Sequence, residues 1–260
     1  MIPNPLGLRL DPARPVRDQI REAARLGARG VVIDALGELA PARLSETGRR
    51  EVRHLLRSVG LSLVALSLPT RRPFDTTDQL DDRLNRADTA FALGFELGTP
   101  LVLARVGGIP PEADTAARET FIGAVGELGR RADRRGVRFA VETGPDPGEP
   151  LRALLDAIGC PGLAASLDPT ALLQNGHDPG AVARALGHWV AHALASEPPA
   201  TPRILTMTRH TGLPPGALDW EAYLGALEEV GYRGFLTVWP DPDRDTASQF
   251  KAVVERLNAF

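Results

Sequence analysis

The chain of 260 residues is 43% hydrophobic and 24% charged, with 26 Gly, 23 Pro and one Cys; this is enough apolar material for a full core and too much for a disordered chain. Thirty basic against 33 acidic side chains leave a formal charge of -3, which lacks the cationic excess of a nucleic-acid or anionic-membrane binder. Cys160 alone permits neither an internal disulfide nor a cysteine metal cluster, and Lys251, the only lysine, leaves almost no amine for Schiff-base or pyridoxal chemistry. The N-terminal MIPNPLGLRLD lacks a basic stretch followed by an apolar one, and no run reaches the roughly 18 apolar residues of a membrane span. A cytoplasmic protein is the expectation.

Along the chain, short runs rich in Val, Leu and Ile alternate with longer stretches of helical period. Leu6 to Leu10 reads as a strand before a helix through Val16 to Leu26, and Gly30 to Leu36 as a strand before a helix that Ser45 caps and that runs to about Val59. Leu61 to Leu68 leads to a helix from Asp78 to Leu93, and Pro100 to Val106 to one from Asp114 to Arg135. Val137 to Thr143 precedes a short helix opened by Pro150, whose ring suits a first helical position. Leu163 to Asp168 is followed by Ala181 to Leu186, and His188 to Ala195 by a Pro-rich stretch and then a helix from Asp219 to Val230. Phe235 to Trp239 and a last helix, Ala247 to Leu257, complete eight strand–helix units.

Eight units of about 32 residues match the βαβ step and the usual size of a (β/α)8 barrel. One domain spanning residues 1–260 is therefore expected, as an α/β fold of the TIM-barrel type. Strands should end near Leu10, Leu36, Leu68, Val106, Thr143, Asp168, Ala195 and Trp239. The stretch from Pro198 to Pro215 should cross the C-terminal rim irregularly, since proline lacks the N–H that ladders need. A doubly wound open sheet is the alternative, but Asp11-Pro12-Ala13-Arg14-Pro15 after the first strand is no glycine-rich phosphate loop.

In such a barrel, chemistry sits at the C-terminal ends of the strands. The polar residues there are Asp34, Ser67, Arg105, Glu142, Asp168, His192, Ser196, Trp239 and Asp241. Glu142 and Asp168 stand out, because each closes an apolar strand and precedes a Gly or Pro turn. Two carboxylates on neighbouring strands can share a divalent cation or divide into a general acid and a general base. The plainer reading is that each caps a loop. His192 lies inside an apolar strand, where a histidine is more often hydrogen-bonded core than ligand.

The segments RFAVETG around Glu142, SLDPTALLQNGHDP around Asp168, VAHALASE around His192 and the closing LDWEAYLGALEEVGYRGFLTVW carry a resemblance to the xylose isomerase-like TIM barrels. That superfamily includes tagatose/psicose 3-epimerases, inosose dehydratases and endonuclease IV. The resemblance implies one divalent metal held by a Glu on strand five, an Asp on six, a His on seven and a Glu on eight. Glu142 and Asp168 match the first two. Where the family reads His-x-His, this chain reads His192-Ala193-Leu194; Trp239 stands at the last Glu, and Ala171 replaces a substrate histidine three residues past the Asp.

What the resemblance implies is a sugar isomerase/epimerase-like barrel with a degenerate metal site. Its pocket at the C-terminal face would suit a small polyol or sugar, with weak or no metal-dependent isomerase activity and a binding or regulatory role. Glu142 and Asp168 are the catalytic candidates, and Trp239, His192, Arg105 and Asp34 the substrate-binding ones. The cofactor is expected to be none, or a weakly bound Mn2+ or Mg2+ on Glu142 and Asp168. The alternative is an active enzyme, through a displaced metal site that adds His192 and Asp241 or through metal-free acid/base work by the two carboxylates. The partners implied are a small sugar or polyol, no nucleic acid and no membrane; assembly into a homo-oligomer stays open.

Overall fold

The computed structural model describes residues 4–196 and 217–259. Eight parallel strands close into a barrel in sequence order: β1 (Leu6–Arg9), β2 (Gly30–Asp34), β3 (Ser62–Ser67), β4 (Leu101–Ala104), β5 (Arg138–Glu142), β6 (Leu163–Leu167), β7 (Val190–Leu194) and β8 (Leu236–Val238). The last strand pairs back to the first, with Gly7 opposite Thr237. Each strand ends one or two residues before the expected limit. The ladder nonetheless persists past several ends, for Leu10 N–H donates to the Val32 carbonyl and Ala195 N–H to that of Thr237.

Helices α1 (Val16–Leu26), α2 (Glu46–Ser58), α3 (Leu80–Leu97), α4 (Thr115–Arg134), α5 (Gly148–Ile158), α6 (Pro169–Gln174), α7 (Pro179–Leu186), α8 (Trp220–Glu229) and α9 (Thr246–Asn258) form the outer layer among the described residues. Local chemistry opens and closes many of them. Ser45 accepts from Gly48 N–H, Asp114 from Ala117 N–H and Asp219 from Ala222 N–H, while Gly27 and Gly98 end α1 and α3 in the left-handed region.

Four expectations need correction. α5 opens at Gly148 behind Pro147, which puts Pro150 at its third position. α3 runs on to Leu97, where Gly98 in the left-handed region stops it, and Gly94 within it packs closely on Val102. The sixth crossover holds two helices, each entered through an Asp cap followed by Pro at the first position, at Asp168-Pro169 and Asp178-Pro179. β7 starts at Val190, since Gly187–Trp189 winds into a 3-10 turn. The stretch from Pro198 to Pro215 lies outside the described residues.

The period-two alternation divides each strand between two environments. Val141, Leu167 and Ala193 join the core beneath the helices, with Phe91, Phe121 and Leu155. Val32, Ala65, Leu103, Ala140 and Ala164 form a separate small apolar cluster. Further along the same strands the same alternation yields Asp34, Ser67, Glu142 and Ser166, all buried. The barrel is thus apolar inside at one level and polar towards the C-terminal ends of its strands, and the site is built on that polar level.

Candidate functional site

At the end of β1, Arg9 turns into the barrel, 8% exposed. One of its terminal nitrogens, Nη2, donates to Ser67 Oγ at 2.8 Å and lies 3.0 Å from Asp34 Oδ1; the other, Nη1, donates to Glu142 Oε1 at 3.5 Å. The Asp34 contact is close but poorly aligned, so Asp34 Oδ1 and Arg9 Nε are buried without a hydrogen bond. Sequence reading missed Arg9. Its signal was legible, for an arginine at the end of an apolar strand is out of place unless it meets carboxylates inside.

Just past β4, Arg105 reaches across the mouth. Its Nε lies 3.7 Å from Glu142 Oε2, and its Nη2 donates to Asp168 Oδ2 at 3.3 Å. Asp168 serves two partners, because its Oδ1 accepts from Ala171 N–H at 3.0 Å as the cap of α6. Its backbone N–H is held by Thr143 Oγ1 at 2.9 Å. The plainer reading of a capping carboxylate therefore describes one oxygen of Asp168, while the other faces the arginine. Glu142 makes no such cap.

Two guanidinium groups thus meet three carboxylates, of Asp34, Glu142 and Asp168. Burial pushes the Glu142 carboxyl above the usual range against the pull of Arg9 and Arg105, and Asp168 and Asp34 add to the rise. Asp34 moves the same way, by burial opposed by Arg9.

Beneath this layer His192 is fully buried. Its Nδ1 pairs with Ser166 Oγ at 2.8 Å and its Nε2 with Thr237 Oγ1 at 2.9 Å. Burial, with the charge of Arg9, pushes its pKa down to about 3, so the ring is neutral near pH 7. The expectation of His192 as a substrate contact or metal ligand is corrected: both ring nitrogens are engaged and the ring does not reach the surface. Asp34 is likewise turned inward to hold Arg9 and is not part of the cavity wall.

A cavity of about 850 Å³ opens beside Asp168, its wall including Arg105, Asp168, Thr170, Ser196, Trp239 and Asp241, with Glu142 set behind Arg105 and outside the wall. Trp239, immediately after β8, is 37% exposed, and the Arg9 guanidinium carbon lies 3.8 Å from its ring centroid. The indole stands at the mouth, stacked on a cation and partly open. Asp241 sits in the following turn, where its Oδ1 accepts from Asp243 N–H. Trp220 is buried on α8 and reaches the same cavity wall.

The residues present do not fit the metal that the fold family implies. Among the described residues no group of three or more His, Cys, Asp or Glu side chains could hold a metal ion. The displaced set of Glu142, Asp168, His192 and Asp241 is therefore not formed. The two remaining carboxylates already face a cation, Arg105.

Residues 20–259 match the sequence profile of a family described as xylose isomerase-like TIM barrel. The chain belongs to that family. A comparison with curated proteins gave no match. Among solved structures, this xylose isomerase-like barrel is similar to a xylose isomerase domain protein from Planctomyces limnophilus, with a TM-score of 0.79 at 16% identity over 98% of this chain and 96% of that one. It is also similar to a D-psicose 3-epimerase determined in the presence of D-fructose, with a TM-score of 0.76 at 12% identity, 98% and 97% of the chains being covered. An L-ribulose 3-epimerase superposes at a TM-score of 0.76 with 15% identity, over 98% of this chain and 94% of that one. At such identities the likeness speaks for the fold. No helix among the described residues is long and apolar enough to cross a membrane.

Proposed function

We propose that the protein binds a small sugar or polyol at the C-terminal mouth of the barrel, in a binding or regulatory role that needs no tightly held divalent ion. The observation that carries this reading is Trp239, 37% exposed at the cavity wall. An indole face takes the C–H face of a pyranose or cyclitol, and the neighbouring Arg105 and Asp168 supply a donor and an acceptor for its hydroxyls. The epimerase neighbours, among them one solved in the presence of D-fructose, support a sugar-sized ligand.

A second reading is favoured by the raised Glu142 carboxyl and by the sharing of Arg105 between Glu142 and Asp168. Here the pair works without metal as acid and base: one carboxylate takes the proton from a carbon next to a carbonyl, and the other returns a proton to the resulting enediol. The sugar then leaves epimerised or isomerised with its atoms unchanged in number.

Calorimetric titration with D-fructose, D-psicose and myo-inositol tests the binding reading. Saturable binding is expected with at least one, and Trp239→Ala should weaken it at least tenfold. Binding by none, or binding indifferent to Trp239, overturns the reading. The same ketoses incubated in D2O and followed by proton NMR separate the two readings: loss of a C–H signal next to the carbonyl is expected only of the enzyme.

A further inference from the structure

Glu142 and Asp168 are each less than one-tenth exposed, and each divides its oxygens in the same manner. Glu142 gives Oε1 to Arg9 and turns Oε2 to Arg105; Asp168 gives Oδ1 to the N-terminus of α6 and turns Oδ2 to Arg105. The two outward oxygens therefore converge on one cation, which this chain supplies itself. Arg105 is suited to the place. Its side chain starts from the loop after β4, next to β5, and stays 58% exposed while its head spans both carboxylates. A guanidinium also keeps its charge at any pH the fold survives and offers several N–H groups in one plane.

We infer that Arg105 is the resident cation of this site. Its guanidinium takes the place between Glu142 and Asp168 that a divalent ion would need, keeps that ion out, and turns its remaining N–H edge to a ligand oxygen in the cavity. Charge repulsion does the excluding, since an ion close enough to use Oε2 and Oδ2 would sit against a fixed positive charge in a partly buried setting. Arg105 thus supplies a permanent cation in place of an exchangeable one, and hydrogen-bond donation in place of coordination. The inference rests on the reading above only for the identity of the ligand.

The test is a Mn2+ titration of the full chain, read by the loss of the free-ion electron paramagnetic resonance signal. The native protein should show no saturable binding up to millimolar ion. Arg105→Ala should bind Mn2+ at least tenfold more tightly, and adding Glu142→Gln should remove that gain. Arg105→Lys, which keeps the charge, should stay as closed to the ion as the native chain. In Arg105→Ala, methylguanidinium should compete with Mn2+, which a merely unfolded or loosened variant would not reproduce. Native binding as tight as that of Arg105→Ala, a variant that gains nothing, or a gain indifferent to Glu142 overturns the inference. Failure of the polyol titration leaves these Mn2+ outcomes intact, so the two readings fall separately.

Discussion

At His192 the environment sets the protonation state, and the state has a cost that pH reveals. An unfolded-chain histidine takes up a proton below about pH 6.5, whereas the buried ring holds out until about 3. Between those values the unfolded chain binds the extra proton, so stability is full above the upper limit and falls as pH drops through the window. The loss is on the order of a few kcal/mol by pH 3. Glu142 and Asp34 act with the opposite sign, because burial raises their carboxyls and the folded form keeps the proton longer. Comparing native protein with His192→Gln by urea unfolding at a series of pH values isolates the histidine. The variant should lose the downward slope between pH 6.5 and 4, although its starting stability is lower; parallel slopes would show that His192 is not held neutral.

Elements carry the next level of explanation, and Asp168 belongs to two of them. It ends the run of β6 and caps α6 through Ala171 N–H. A cap lost to alanine costs about 1 kcal/mol, while asparagine keeps the capping oxygen and removes only the charge. Asp168→Ala should therefore be less stable than Asp168→Asn by about 1 kcal/mol in thermal or urea unfolding, with both variants impaired in ligand binding. Equal stabilities would mean that α6 does not depend on the cap. The element scale also explains why Trp239 is half open. β8 is only three residues long, so the indole falls just beyond the ladder and leans on Arg9 from β1.

For the molecule as a whole, closure of eight strands inside a ring of helices leaves some places where no side chain fits. A Cβ on Gly162 would stand 2.1 Å from the Gly129 carbonyl oxygen of α4 and 2.9 Å from the Asp133 nitrogen, both backbone atoms. Gly162→Ala should destabilise by about 1–3 kcal/mol through overpacking. Gly123, on the same helix α4, has open space around its Cβ position, and Gly123→Ala should stabilise by up to about 1 kcal/mol through helix propensity. Urea midpoints of the two variants moving in opposite directions would confirm that α4 packs on the β6 entrance as described; a neutral Gly162→Ala would contradict it.

The eight strand–helix units were legible because each is a local property: strand alternation, helical period, and Ser, Asp, Pro and Gly at the ends. The same locality exposed Glu142 and Asp168, polar residues ending apolar strands. Local reading fell short in the run of α3 past Gly94 and in the 3-10 turn before β7. What no local pattern could decide is which side chains meet. Arg9 and Glu142 are 133 residues apart in sequence and Arg105 and Asp168 are 63 apart; they touch only because the barrel closes in one register. His192 was read as a candidate from its type and position, but its two hydroxyl partners come from neighbouring strands. Sequence alone determined the elements and the residue types at the rim, since these follow from side-chain chemistry within a few positions. Tertiary structure decided charge pairing, burial and therefore protonation, because desolvation and Coulomb energy depend on distances that exist only once the barrel is closed.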